Sequence, residues 1–279
     1  MPEEIVHINP KIDARGFFDA GNLTFQHLDW VSPASRFEQP GCLGLLAEGE
    51  LKALISIEPE NPPAAWIRFF VSVRDGQHGV YFNKLLQATI PYLHSEGVSE
   101  VYTLSLYPWT ANLFEANGFS LQTHIITLSR KLESLSEAPN LPDEMDIRSM
   151  TVSDLDEVEA LDRSAFPPAW QMNRQSLQVA YQESAFNAVI VSAKGLLSYI
   201  ITTSTFSMAH LARLAVAPEA QHQHLGHIMV QTFLEVCINK GIDFATVNTQ
   251  LDNHASLRLY QLMGFQQEGK LIPVYRLTI

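Results

Sequence analysis

Three histidines crowd the stretch AVAPEAQHQHLGHIMV, residues 215–230. His222, His224 and His227 follow an extended apolar run that halts at Pro218, and a helical apolar pattern starts beside them at Leu225. Two chemistries suit these residue types. Imidazoles ligate zinc, and His224 and His227 would share a helix face, but no cysteine joins them. Alternatively, Gln221, His222, Gln223, His224, Leu225, Gly226 and His227 open a helix. The first helical turn carries free N–H groups and partial positive charge, so it holds a phosphate without lysine. Glycine lets an anion approach the backbone closely. By residue type alone both readings stand.

Further along, NHASLRLYQLM, residues 253–263, reads as a helix stopped by Gly264. Asn253 stands where an N-cap belongs. Tyr260 lies on the same helix and, by type alone, is a core aromatic. The segment DRSAFPPAW carries Asp162, Phe166 and Trp170 and reads as an aromatic turn between two helices. His210 lies on the strand before the histidine loop. Cys42 and Cys237 are far apart in sequence and form no metal or redox motif, so both are expected as small buried hydrophobes.

The elements that position these residues follow from the pattern. The chain has 279 residues, 46% hydrophobic and 17% charged, enough for one large or two ordinary domains. Net charge is −12, and both halves are acidic, which argues against nucleic-acid binding. An acidic surface suits a cationic substrate such as an amine, although solubility alone explains it equally well. No window is apolar enough for a membrane span, and MPEEIVHINPK lacks signal-peptide features, so a cytoplasmic protein is expected. A polar, proline-containing linker is expected over residues 133–145, dividing domains at 1–132 and 146–279. In the second half, DIRSM, NAVIV, LLSYIITTSTF, AHLARLAVAP, DFATVNTQ and KLIPVYRLTI read as strands. A helix begins near Ser153 as its N-cap, and further helices follow at NRQSLQVAYQES, from Leu225, and at NHASLRLYQLM. The first half repeats part of this order: NLFEANGFSLQTHIITLSRKL and RLYQLMGFQQEGKLIPVYRLTI both run helix, Gly-Phe, strand, as a degenerate duplication does.

Residues 144–279 resemble the GNAT superfamily of acyl-CoA-dependent N-acyltransferases. Gln221, His224 and Gly226 occupy its Gln/Arg-x-x-Gly-x-Gly/Ala signature, with His224 replacing the first glycine. Asn253, Ala255, Tyr260, Gly264 and Phe265 occupy a later signature, relaxed by one residue. The resemblance implies two tandem α/β (α+β) GNAT-like domains, each a mixed, largely antiparallel splayed sheet flanked by helices. It accounts for the histidine loop as an anion-holding turn, so no metal is expected, and it implies acetyl-CoA as co-substrate, with pyrophosphate on residues 221–227, Asn253 near the cofactor, and the backbone of Leu214, Ala215 and Val216 pairing with the pantetheine arm. Tyr260 would protonate the departing thiolate. Histone-type members carry a base at the position of His210; ribosomal-protein acetyltransferases carry theirs at Asn248, which cannot act as one. Asp162, Phe166 and Trp170 are similar to the segment that lines the acceptor site in the ribosomal-protein enzymes. In the first half Gln77 keeps its place, but Val80, Phe82 and Phe114 stand where the two glycines and Tyr260 belong, so residues 1–132 read as a domain without a cofactor loop. The expectation is an acetyltransferase acting on a primary amine; the alternative is a non-catalytic module that senses acyl-CoA or binds a protein. Expected partners are acetyl-CoA, an amine and, as an option, a second copy in a homodimer, with neither nucleic acid nor membrane.

Overall fold

The computed structural model describes residues 3–9, 12–133, 135 and 139–279. They form two compact units: the described residues of Met1–Gln122 with Ile272–Ile279, and Thr123–Leu271. In chain order the elements are β1 (Glu3–His7), α1 (Ala14–Asp19), β2 (Leu23–Gln26), β3 (Cys42–Ala47), β4 (Glu50–Asn61), β5 (Ala64–Ser72), α2 (His78–Ser95), β6 (Glu100–Leu104), α3 (Pro108–Ala116), β7 (Ser120–Lys131), β8 (Met145–Ser149), α4 (Leu155–Ala165), α5 (Arg174–Gln182), β9 (Phe186–Ser192), β10 (Gly195–Ser204), β11 (Met208–Val216), α6 (Leu225–Asn239), β12 (Phe244–Gln250), α7 (His254–Leu262) and β13 (Gln266–Thr278). No described helix is long and apolar enough to cross a membrane.

The first unit orders its strands β1-β3-β4-β5-β6 and then the Val274–Thr278 end of β13. Every pairing is antiparallel except β5 with β6. β5 reads AAWIRFFVS, an apolar run without alternation, and all 9 of its residues are buried. Such a run belongs to a strand covered on both faces. α2 lays Phe82, Leu85, Leu86, Thr89 and Leu93 against the sheet at helical spacing. The short β2 pairs with β5 as well, antiparallel from Leu23↔Ser72 to Gln26↔Phe69.

The second unit orders its strands β8-β9-β10-β11-β12 and then the Ile125–Lys131 stretch of β7. Only β11 with β12 is parallel. α4 begins after a single 3-10 turn, and its cap differs from the expected Ser153. Thr151 and Asp154 form a reciprocal capping box, because Asp154 lies three residues on and also pairs with Arg148. Asn173 caps α5 by accepting the Ser176 N–H at 2.9 Å.

Strand partners cross the division expected at residues 133–145, where residues 134 and 136–138 lie outside the described residues. The compact units divide between 122 and 123, and again between 271 and 272. β7 gives its end to β12 of the second unit, and β13 gives its end to β6 of the first. Pairing follows register and buried faces rather than chain order.

Candidate active site

β11 and β12 run together only from Met208↔Phe244 to Leu211↔Val247. Opposite β10, the register skips Ala212, leaving a bulge between the Leu211 and Arg213 pairings. Bulges bend a strand and increase its twist, which parts β11 from its parallel neighbour here. Among the described residues no strand pairs with this edge over Ala212–Val216. Ala212, Arg213, Leu214 and Val216 are half-buried, while Ala215 is buried.

The open edge runs directly into the histidine loop. A 3-10 turn at Pro218–Ala220 ends at Gln221, and α6 starts at Leu225 without a side-chain cap. His222 has φ 65° and His224 has φ 61°. Both lie in the left-handed region that glycine adopts most readily, and histidine tolerates it better than most residues do. His224 therefore keeps the backbone that the missing glycine would supply. A Cβ on Gly226 would lie 3.3 Å from Leu259 Cδ2 and 3.8 Å from Val216 Cγ2, so α6, α7 and β11 meet there. His227 is held below its ordinary pKa by burial and by the neighbouring His224.

Tyr260 is 4% exposed, with its ring 5.8 Å from Phe265. Burial raises its pKa, opposed by the positive charge of Arg213. Asn253 caps α7 by accepting the Ser256 N–H at 3.1 Å, which accounts for its place at the helix start. His210 Nδ1 lies 2.8 Å from Thr246 Oγ1, across the parallel pair. That hydroxyl donates to Ala209 O at 3.3 Å. A hydroxyl has one proton; when it goes to Ala209 O, Nδ1 is the donor to Thr246 and the lone pair lies on Nε2. Burial lowers the pKa of His210, which favours the neutral ring.

Asp162, Phe166 and Trp170 assemble around Arg213, which sequence reading passed over. Asp162 is 0% exposed. It accepts the Met172 N–H at 2.8 Å, the Tyr199 hydroxyl, and Arg213 Nε at 2.8 Å. Arg213 also donates to Trp170 O at 2.7 Å, and its guanidinium lies 3.7 Å from the centre of the Phe166 ring. Burial lowers the pKa of Arg213, but Tyr199 and Asp162 outweigh it and raise the value. Asp162 therefore does not line an open site; its oxygens are taken, and it holds Arg213 against Phe166 and Trp170. One signal was present in the sequence: Asp162 falls on the apolar stripe of α4 with Leu155, Val158 and Leu161. A carboxylate there needs a buried cation.

In the first unit the same positions look different. α2 begins at His78, so Val80 is helical where His224 forms a left-handed turn. Phe82 and Phe114 are both fully buried. Phe114 and Phe119 lie 5.7 Å apart, as Tyr260 and Phe265 do at 5.8 Å.

Residues 155–265 match the family described as acetyltransferase (GNAT) family. They form a GNAT acetyltransferase domain. Over 123 residues the chain is 24% identical to a Bacillus subtilis (strain 168) protein that bears the name ribosomal protein bS18-alanine N-acetyltransferase, covering 44% of this chain and 82% of that one. Among solved structures, a probable N-acyltransferase from Enterococcus faecalis V583 shares the fold at TM-score 0.66 and 11% identity, over 100% of this chain and 73% of that one. A tandem GNAT protein from the clavulanic acid biosynthesis pathway shares it at TM-score 0.55 and 14% identity, over 86% and 84%. The GNAT domain thus includes the splayed strands, the histidine loop and α7.

Proposed function

We propose that the second unit transfers an acetyl group from acetyl-CoA to a primary amine by direct attack, and that the first unit is a second, degenerate GNAT-like domain of a tandem pair. One observation carries this reading: the unpaired edge Ala212–Val216 leads straight into the uncapped first turn of α6. An extended pantetheine arm is an amide chain that pairs with such an edge as a strand does. A pyrophosphate suits the amides and partial charge at the helix start. The neutral His210 takes the proton from the attacking ammonium at Nε2, directly or through water. The freed amine bonds to the thioester carbon, the C–S bond breaks as the carbonyl re-forms, the Tyr260 phenol protonates the departing sulfur, and the second proton of the new amide nitrogen returns through water to the phenolate. Phe166, Trp170 and Arg213 form the acceptor side. The relatives' names point to a protein amine as one class to try first, but Asn248 provides no base where those enzymes carry one. A non-catalytic acyl-CoA sensor is the second reading, favoured by His224 in place of glycine.

Thermal melting with acetyl-CoA tests the reading. A ligand at 100 times its Kd that binds only the folded state adds about 2.7 kcal/mol. That moves Tm by several degrees, since 1 kcal/mol shifts it by about 2–4 °C at this scale. Gly226→Glu, which drives a carboxylate into the meeting point of α6 and α7, should abolish the rise. A rise that persists unchanged in Gly226→Glu would move the cofactor elsewhere.

A further inference from the structure

In the first unit, β5 and β6 run parallel from Ala64↔Glu100 to Trp66↔Tyr102 and then part. This is the β11–β12 pairing shifted by a constant number of residues. The edge that β11 leaves open is, in β5, taken by the chain itself. β2 pairs along Phe69–Ser72, and the His27 N–H extends the ladder to Arg68 O at 2.7 Å. Burial records the difference: β5 is buried throughout, while most of Ala212–Val216 is half-buried. Side chains complete the closure. Phe25 of β2 is 0% exposed and sits edge-on to Phe114, ring centres 5.6 Å apart, at the position aligned with Tyr260. Phe82, aligned with Gly226, lies 5.8 Å from Phe114 and 5.1 Å from Phe70.

We infer that β2 is a built-in occupant of the first unit's groove, a strand standing where an acyl-CoA arm would lie, so that the chain takes up one acyl-CoA and only in the second unit. This rests on the proposed reading of the β11 edge. Admitting a pantetheine arm would require breaking the β2–β5 ladder and exposing Phe25, with no left-handed loop at residues 78–80 to repay the loss through phosphate contacts.

Amide hydrogen exchange on the full chain, with and without 1 mM acetyl-CoA, tests it, alongside equilibrium dialysis for stoichiometry. In the wild type, amides of Leu23–Gln26 and Phe69–Ser72 should exchange slowly and at the same rate whether acetyl-CoA is present or not. Phe25→Ser should speed exchange at Phe69–Ser72 by about tenfold or more; Phe25→Leu, the milder change, serves if that variant fails to fold. Stoichiometry should be one per chain. Acetyl-CoA-dependent protection at Phe69–Ser72, two bound molecules, or fast exchange of Leu23–Gln26 in the wild type would each overturn the inference. Failure of the catalytic reading looks different: Leu214–Val216 would then show no response to acetyl-CoA, while the β2 ladder stayed protected.

Discussion

Removing either member of the Asp162–Arg213 pair leaves an interior charge without its partner, because Asp162 is 0% exposed and Arg213 also holds Trp170 O and the Phe166 ring. Asp162→Leu alone should cost about 3–5 kcal/mol in urea denaturation, and adding Arg213→Met should restore a large part of it. A double variant no more stable than the single one would show that the pair is not coupled. At His224 the prediction concerns backbone. A β-branched side chain at φ 61° is strained. His224→Val should therefore destabilise by about 1–2 kcal/mol, while His224→Gly should change stability by less than about 1 kcal/mol, strain relief offsetting lost chain stiffness. At Tyr260, turnover should fall by about 10²-fold or more in Tyr260→Phe with acetyl-CoA affinity nearly unchanged; unaltered turnover would remove the phenol from the mechanism. Motif residues such as Gln221, Gly226 and Tyr260 could be picked out through the family resemblance, because its signatures are short contiguous stretches at the start of α6 and along α7. Arg213 could not, because its partner is 51 residues away and only folding joins them.

Elements were legible where periodicity is local. α5, α6 and α7 lie where apolar spacing and terminal residues put them, and Asn253 is the cap expected for α7. β2 escaped notice. It has 4 residues, too few for a sustained alternation, and among the described residues it pairs with β5, which lies far along the chain. Its end carries a pH signature. Burial, then the nearby Arg68, pushes the pKa of His27 down to about 3. The folded ring thus refuses a proton that the unfolded chain accepts below about 6.5. Stability from His27 is complete above that value and is lost progressively as pH falls toward 3. His210 and His227, also depressed, add to the same slope. His27→Phe should therefore remove about one proton from the slope of urea stability against pH, roughly 1.4 kcal/mol per pH unit, between pH 6 and 4. Identical slopes in wild type and variant would place His27 in a solvated, protonatable state.

At the scale of the molecule, the repeated helix, Gly-Phe, strand order raised the expectation of a duplication, and the β5–β6 and β11–β12 pairings share one register offset. The exchange of strand ends was not visible, since β7 and β13 have similar patterns and nothing local says which sheet each end joins. The exchange has a measurable cost for truncation. A fragment of residues 133–279 leaves β12 without its Ile125–Lys131 neighbour and carries Val274–Thr278 with no strand to pair. Two bare edges favour association, so sedimentation should find this fragment more highly associated than the full chain; a fragment no more associated than the full chain would count against the exchange. The same feature sets an order in time. The ribosome makes Val274–Thr278 after all of the second unit, so the unit that is begun first is finished last. Until then its β6 edge waits open, a stage at which a nascent chain is exposed to chaperones and to its neighbours on the polysome.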